Sequence, residues 1–501
     1  MSTNLSSKMS KLSKDVVSLQ SKENPTIISK PSSKPRESEL ESKIKKLTKY
    51  SNSYFVLLLA LMITDVFKEM SSSADQKYIQ SILHGEASDL ATVDLFSTLT
   101  NSAAPIFGYH LDNFYPFSCR IGPYSVFACL AASLSMASVA VFPQSKSSFI
   151  ALISINAFSV TFINVITQGL LVLMTKLDVE IFDLKRNLER IKAMNEGQRR
   201  LKKTKRGSNK RVVERDQIGI RLYMTYSIYS AIFKGVVTML SGLIVDNIPI
   251  QTVYLISASP GLLATIIVLL FGREPKEKEW HSKSQNLVQT LKSFLKVFFS
   301  PLILLPAILK LITNMIPDAQ EAIRFILINQ RGWSFTALGA VEAVEGLAIL
   351  LVVLQLKKLT QVLRFEIIFL LGTLAIGYSR LVEMPQMFPG LPIYVVLASI
   401  TFQAVFMSLA DLFTTIPLFG RFNTLIPAGF ESTGANIMNS LIGLGGPLSL
   451  YGTKKELQYF RVVNGYYGRL KQPLALNLMV SVIICFVCPL FLTGRVKLKS
   501  V

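Results

Sequence analysis

Long apolar runs alternate with short polar joints along this chain, and the runs have membrane length. Read in stretches of about 20 residues, the length a helix needs to cross a hydrocarbon core, the pattern predicts about twelve spans in 501 residues. The first six are Tyr54–Phe67, Val93–Leu111, Tyr124–Phe142, Phe149–Met174, Leu222–Val245 and Thr252–Phe271. The next six are Phe298–Asn329, Ala337–Leu356, Ile367–Leu381, Leu391–Leu418, Ala428–Leu450 and Leu474–Leu492. The first run is short unless its helix continues through Lys68. Residues 1–50 are rich in Ser, Lys and Pro and predict a disordered tail. A charged stretch at 273–297 separates two six-span halves, 51–272 and 298–501. The expected class is an all-α integral membrane protein.

Composition agrees. Half the residues are hydrophobic and the mean hydropathy is +0.42, too apolar for a soluble protein of this size. The net charge of +21 lies mostly in the tails and connecting loops. That distribution speaks for topology and lipid contact, and no aromatic-interleaved basic patch suggests nucleic-acid binding. The tail, the insert 177–221, the linker and the Lys497/Lys499 end all fall on one side of the twelve-span count, which should be cytoplasmic, with both termini there. The basic loop 452–472 falls on the other side and disagrees. The insert begins with Ile181, Leu184, Leu188 and Ile191 at helical spacing and continues as a basic run. A helix lying on anionic lipid fits it, and so does a solvated loop. The host is a plasma or organelle membrane, and a monomer is the expected state.

Four cysteines and three histidines show no disulfide framework and no metal spacing; Cys485 and Cys488 form a C-x-x-C inside an apolar run. No nucleophile elbow or phosphate loop occurs. The expectation is a protein without cofactor, metal or catalytic residues.

The chemistry therefore lies in charges at membrane depth, where each costs about 2.5–3.5 kcal/mol or more without a partner or a wet cavity. Asp318, Glu321 and Arg324 recur at a spacing of three and share one helix face, just after Pro317, which can break the helix. A solute pathway and an internal ion pair both fit. Lys234 stands mid-span; a carboxylate substrate could meet it, and so could Asp318 or Glu321. Asp65, Lys68, Lys310, Glu342, Glu345, Arg380 and Asp411 complete the set. Asn164, Gln168, Asn101 and Gln403 are neutral polar candidates for substrate hydrogen bonds, although such residues more often join helices. Asp112, followed by Arg120 after a short turn, suits a gate between halves. Glu431, in the first turn of its helix, suits the helix N-terminus or the same gate.

Six spans, a charged linker and six spans resemble the layout of the major facilitator superfamily, whose two halves rock about a midplane site. Within it, IPAGFESTGANIMNSLIGLGGPLS at 426–449 resembles the signature of the folate–biopterin transporter family, through Pro427, Gly429, Glu431, Ser432 and Thr433. AAPIFGYHLDNFYPFSCRIGPY at 103–124 resembles that family's turn between the second and third helices. Pro317 to Gly339 and Leu240 to Asp246 resemble its seventh helix and the end of its fifth. The resemblance implies a small-molecule substrate of the folate or pterin kind, with proton coupling as a further implication. Three features depart from it. Ala104 stands where the family has lysine, Asn164 and Gln168 where it has aspartates, and Ile121 and Gly122 where it has basic residues. A same-fold transporter of an amino acid, nucleoside or S-adenosylmethionine-like cation, and a non-transporting receptor or scaffold, remain alternatives.

Overall fold

Helices begin earlier than hydropathy indicates. In the computed structural model, α1 (Glu37–Val66) starts 17 residues before the first apolar residue of its span, Tyr54. The structure describes residues 37–83, 100–101, 103–114, 121–142, 145–195, 207–271, 287–317, 332–362, 365–383, 391–427, 430–459, 472, 475–481 and 483. The expected disordered tail is therefore corrected over 37–50, which is helical; residues 1–36 lie outside the described residues.

That early start has a cause. Leu40, Ile44 and Leu47 form a half-buried stripe on α1. Facing it is α5 (Lys146–Asn195), a single 50-residue helix that carries the fourth span out into the insert. The two run antiparallel: Ser51 donates to Asp178 at 3.0 Å, Lys43 meets Glu180 at 2.9 Å, and Lys192 meets Glu41 at 2.9 Å and Glu37 at 3.2 Å. Hydrogen bonds from Lys192 to those two glutamates hold its ammonium above the ordinary lysine range. The amphipathic start of the insert is thus packed against α1 as part of α5, with Ile181 buried, and does not form a separate helix.

The first span is also longer than expected. After a one-residue break at Phe67 it continues as α2 (Lys68–Ser81), a polar segment whose Met70, Ala74 and Tyr78 are buried along one face. Then follow α3 (Ala104–Asn113), α4 (Gly122–Val141), α5, α6 (Gly207–Asn247) and α7 (Ile250–Phe271). Tyr78 stacks on Phe149 at 4.8 Å, and the Tyr254 hydroxyl donates to buried Asp75 at 2.7 Å, tying α2 to α5 and α7.

The second unit begins with α8 (Leu287–Phe298), bent by 64° from α9 (Pro301–Asn314). It continues with α10 (Phe335–Val362), α11 (Phe365–Glu383), α12 (Ile393–Leu425), α13 (Glu431–Gly443) and α14 (Gly445–Tyr459). Among the described residues there is no strand. Among the described residues six helices are long and apolar enough to cross a membrane, or seven if the bent α8–α9 pair counts as one span. The eleventh span extends past its expected end at Leu450 to Tyr459.

The two units meet along α6 against α10 and α3 against α13. Apolar burial does little to hold helices together in lipid, so such seams depend on close backbone approach. Gly235 and Gly346 provide it between α6 and α10: a Cβ on Gly346 would stand 2.8 Å from the Gly235 Cα.

Candidate functional site

The α3–α13 seam closes at the end that carries the insert. α13 needs acceptors for its first amide groups, and its N-cap, Phe430, has none in its side chain. The acceptor comes from the other unit. Asp112, 2% exposed at the end of α3, receives the Ser432 N–H at 3.1 Å, the Thr433 N–H at 2.7 Å and the Thr433 hydroxyl at 2.7 Å. A buried carboxylate on a helix N-terminus is held by both hydrogen bonds and dipole, worth up to about 2 kcal/mol. Gly108, one turn earlier on α3, permits the approach: a Cβ there would meet the Ser432 carbonyl at 2.9 Å.

Beside it, Lys176 of α5 donates to buried Glu431 at 2.7 Å and to the Pro427 carbonyl at 3.1 Å. Tyr223 of α6 stacks on Phe419 of α12 with centroids 5.8 Å apart. Phe294 of α8 stacks on Phe430 at 5.7 Å, so the linker's last helix braces the same end. Arg120, expected beside Asp112, lies outside the described residues, while Glu431 pairs with Lys176, a residue the sequence reading did not single out.

Deeper in the molecule, two polar pairs stand on corresponding helices of the two units. Asn164 of α5 donates to Asp65 of α1 at 3.1 Å. Lys310 of α9 donates to Asp411 of α12 at 2.9 Å. These are the first and fourth spans of each unit. The Lys310 side chain is 6% exposed but that of Asp411 is 63% exposed, in the middle of a long apolar helix. Asp411 does not face lipid, because charged and polar groups from other helices surround it. Thr415 donates to it at 3.0 Å, and Lys234 and Tyr223 of α6 lie close enough to act on its carboxylate.

The site residues expected from sequence fall into three groups. Lys234 stands near Asp411, an acid it was not expected to face. Asn164 engages Asp65, and the Gln168 Oε1 is buried without a hydrogen-bond partner among the described residues. Asp318, Glu321 and Arg324 lie outside the described residues; α9 stops at Asn314, and Met315 to Pro317 are not helical. Asp65, Lys310 and Asp411 were seen as charges at depth, but nothing local indicated their partners. No group of three or more potential metal ligands occurs among the described residues.

This arrangement can be compared with known proteins. The BT1 family matches residues 66–179 and 223–497. No curated protein matches the chain. The fold is similar to that of the human organic anion transporter MFSD10 (TETRAN), with 12% identity and a TM-score of 0.54 over 88% of this chain and 99% of that one. It is likewise similar to a mutant of the nucleoside transporter NupG, with 11% identity and a TM-score of 0.57 over 87% and 98% of the two chains. At these identities the likeness shows the fold alone. Matched over most of its length, the chain belongs to the BT1 family of folate–biopterin transporters and is a multi-pass membrane transporter with the major facilitator fold.

Proposed function

We propose that this protein carries folate, a pterin or a related organic anion across its membrane by alternating access. The observation that carries the reading is the mid-depth Lys310–Asp411 pair, 2.9 Å apart, with Lys234 of α6 close enough to act on the same carboxylate. A substrate carboxylate arriving there can exchange for Asp411 on the Lys310 ammonium, which suits an anion. Asn164, Gln168, Tyr223 and Tyr226, on the facing helices, supply hydrogen-bonding and aromatic groups for a flat heterocycle. Family membership supports the substrate class.

In this reading the insert end faces the cytoplasm, and the structure is the state closed on that side. A proton is the coupling ion, with Asp411 as its acceptor when substrate displaces Lys310. The experiment is binding of labelled folate to the purified protein, with a pterin series as competitors. Lys310→Met and Lys234→Ala should each weaken binding at least about tenfold, as losing a charged hydrogen-bond partner implies. Full binding by both variants would remove the cluster from the site, and no binding of any pterin or folate by the parent protein would remove the substrate class.

A further inference from the structure

The end of the molecule opposite the insert is also closed, by a second cap built like the first. α6 begins inside the insert and runs unbroken to Asn247, so its last turn lies at the far end. There Asp246 receives the Thr336 N–H at 2.8 Å and the Thr336 hydroxyl at 2.6 Å, both from the first turn of α10 in the other unit. Gly242, one turn earlier on α6, permits the approach: a Cβ there would meet the Phe335 carbonyl and stand 3.0 Å from the Thr336 Cα. The parts repeat those of the α3–α13 seam, where Gly108 likewise precedes Asp112 by one turn and the capping hydroxyl belongs to Thr433. Lys77 donates to the Val245 carbonyl, which ties α2 to the same end of α6.

The two caps differ in strength. Asp112 is buried, and Phe430 offers α13 no side-chain acceptor of its own. Asp246 is exposed, and α10 keeps a local acceptor in the Ser334 Oγ, which receives the Ala337 N–H at 3.2 Å. A carboxylate on a helix terminus acts more weakly at a solvated surface than where it is buried. Resting on the alternating-access reading, we infer that Asp246 latches the end opposite the insert and opposes Asp112. Both ends are shut in this conformer, and the weaker Asp246 latch is the one released first. Asp246 is thus a positioning residue of the transport cycle: it acts through the α6–α10 seam and not on the substrate. Removing either carboxylate favours opening at its own end alone.

The test is the distance between paired spin labels on the full chain in lipid nanodiscs. One pair, at exposed Ser147 of α5 and Tyr394 of α12, spans the far end; a second, at exposed Asn187 of α5 and Ile367 of α11, spans the insert end. In the parent protein the longer-distance population should be larger at the far end than at the insert end. Asp246→Ala, which removes the acceptor, and Thr336→Val, which leaves α6 untouched, should each raise that far-end population about two- to fivefold. The insert-end pair should not change, and Asp112→Asn should do the reverse. The Ser334 cap keeps the start of α10 in place in both far-end variants. An unchanged far end in both Asp246→Ala and Thr336→Val would overturn the inference. So would widening of both ends in Asp246→Ala, the mark of general loosening, or a parent protein that opens more at the insert end. Should Asp112→Asn also widen both ends together, the alternating-access reading falls; widening of the insert end alone leaves that reading standing whatever Asp246 does.

Discussion

At the scale of single residues, Asp112 is the most consequential. It does for α13 what an N-cap residue normally does, but from the opposite unit, so the cap exists only while the seam is closed. Opening this end must break three hydrogen bonds and withdraw the charge from the helix terminus. Asp112→Asn keeps an acceptor oxygen and removes the charge. A loss of up to about 2 kcal/mol corresponds to a shift of roughly 30-fold toward the open state. Hydrogen exchange across 430–440 should accelerate accordingly, and unchanged protection of the Ser432 and Thr433 amides would contradict the latch. Family resemblance made Asp112 and Glu431 legible as positions. Their partners were not legible: Lys176 and Glu431 are 255 residues apart, and Lys310 and Asp411 are 101 apart. Sequence periodicity reaches only a few turns along one helix, so pairing between helices has to come from the fold.

At the scale of elements, hydropathy located those spans that fall among the described residues better than it located their ends. Phe149–Met174 was recognised as a span, but α5 runs on to Asn195 because its next turns pack against α1. The polar sequence of α2 hid a helix because a stripe spaced by four, Met70, Ala74 and Tyr78, barely alters the average over a membrane-length stretch. Glycine contacts matter at this scale too. A valine at Gly346 would push its branched side chain into the Gly235 backbone and force α6 away from α10. Overpacking of that kind costs about 1–3 kcal/mol. Gly346→Val should therefore lower the unfolding temperature in detergent, whereas Leu351→Val, at a position 64% exposed on the same helix, should not. Equal behaviour of the two variants would show that the seam tolerates separation.

At the scale of the whole molecule, the account joins a latch at one end, a charged cluster at mid-depth and a glycine-lined seam into one rocking device. The major facilitator class was readable from the repeated apolar runs and the motif resemblance. The closed state of one end was not, since alternative states share one sequence. The central claim is that the two units alternate access to the Lys234–Asp411–Lys310 cluster for an organic anion. Counterflow in proteoliposomes tests it most directly: vesicles are loaded with unlabelled folate and diluted into a trace of labelled folate. The account predicts a transient overshoot of label in the parent protein, strongly reduced in Lys310→Met and Asp112→Asn. Label that only drifts to equilibrium, as in protein-free vesicles, would contradict it.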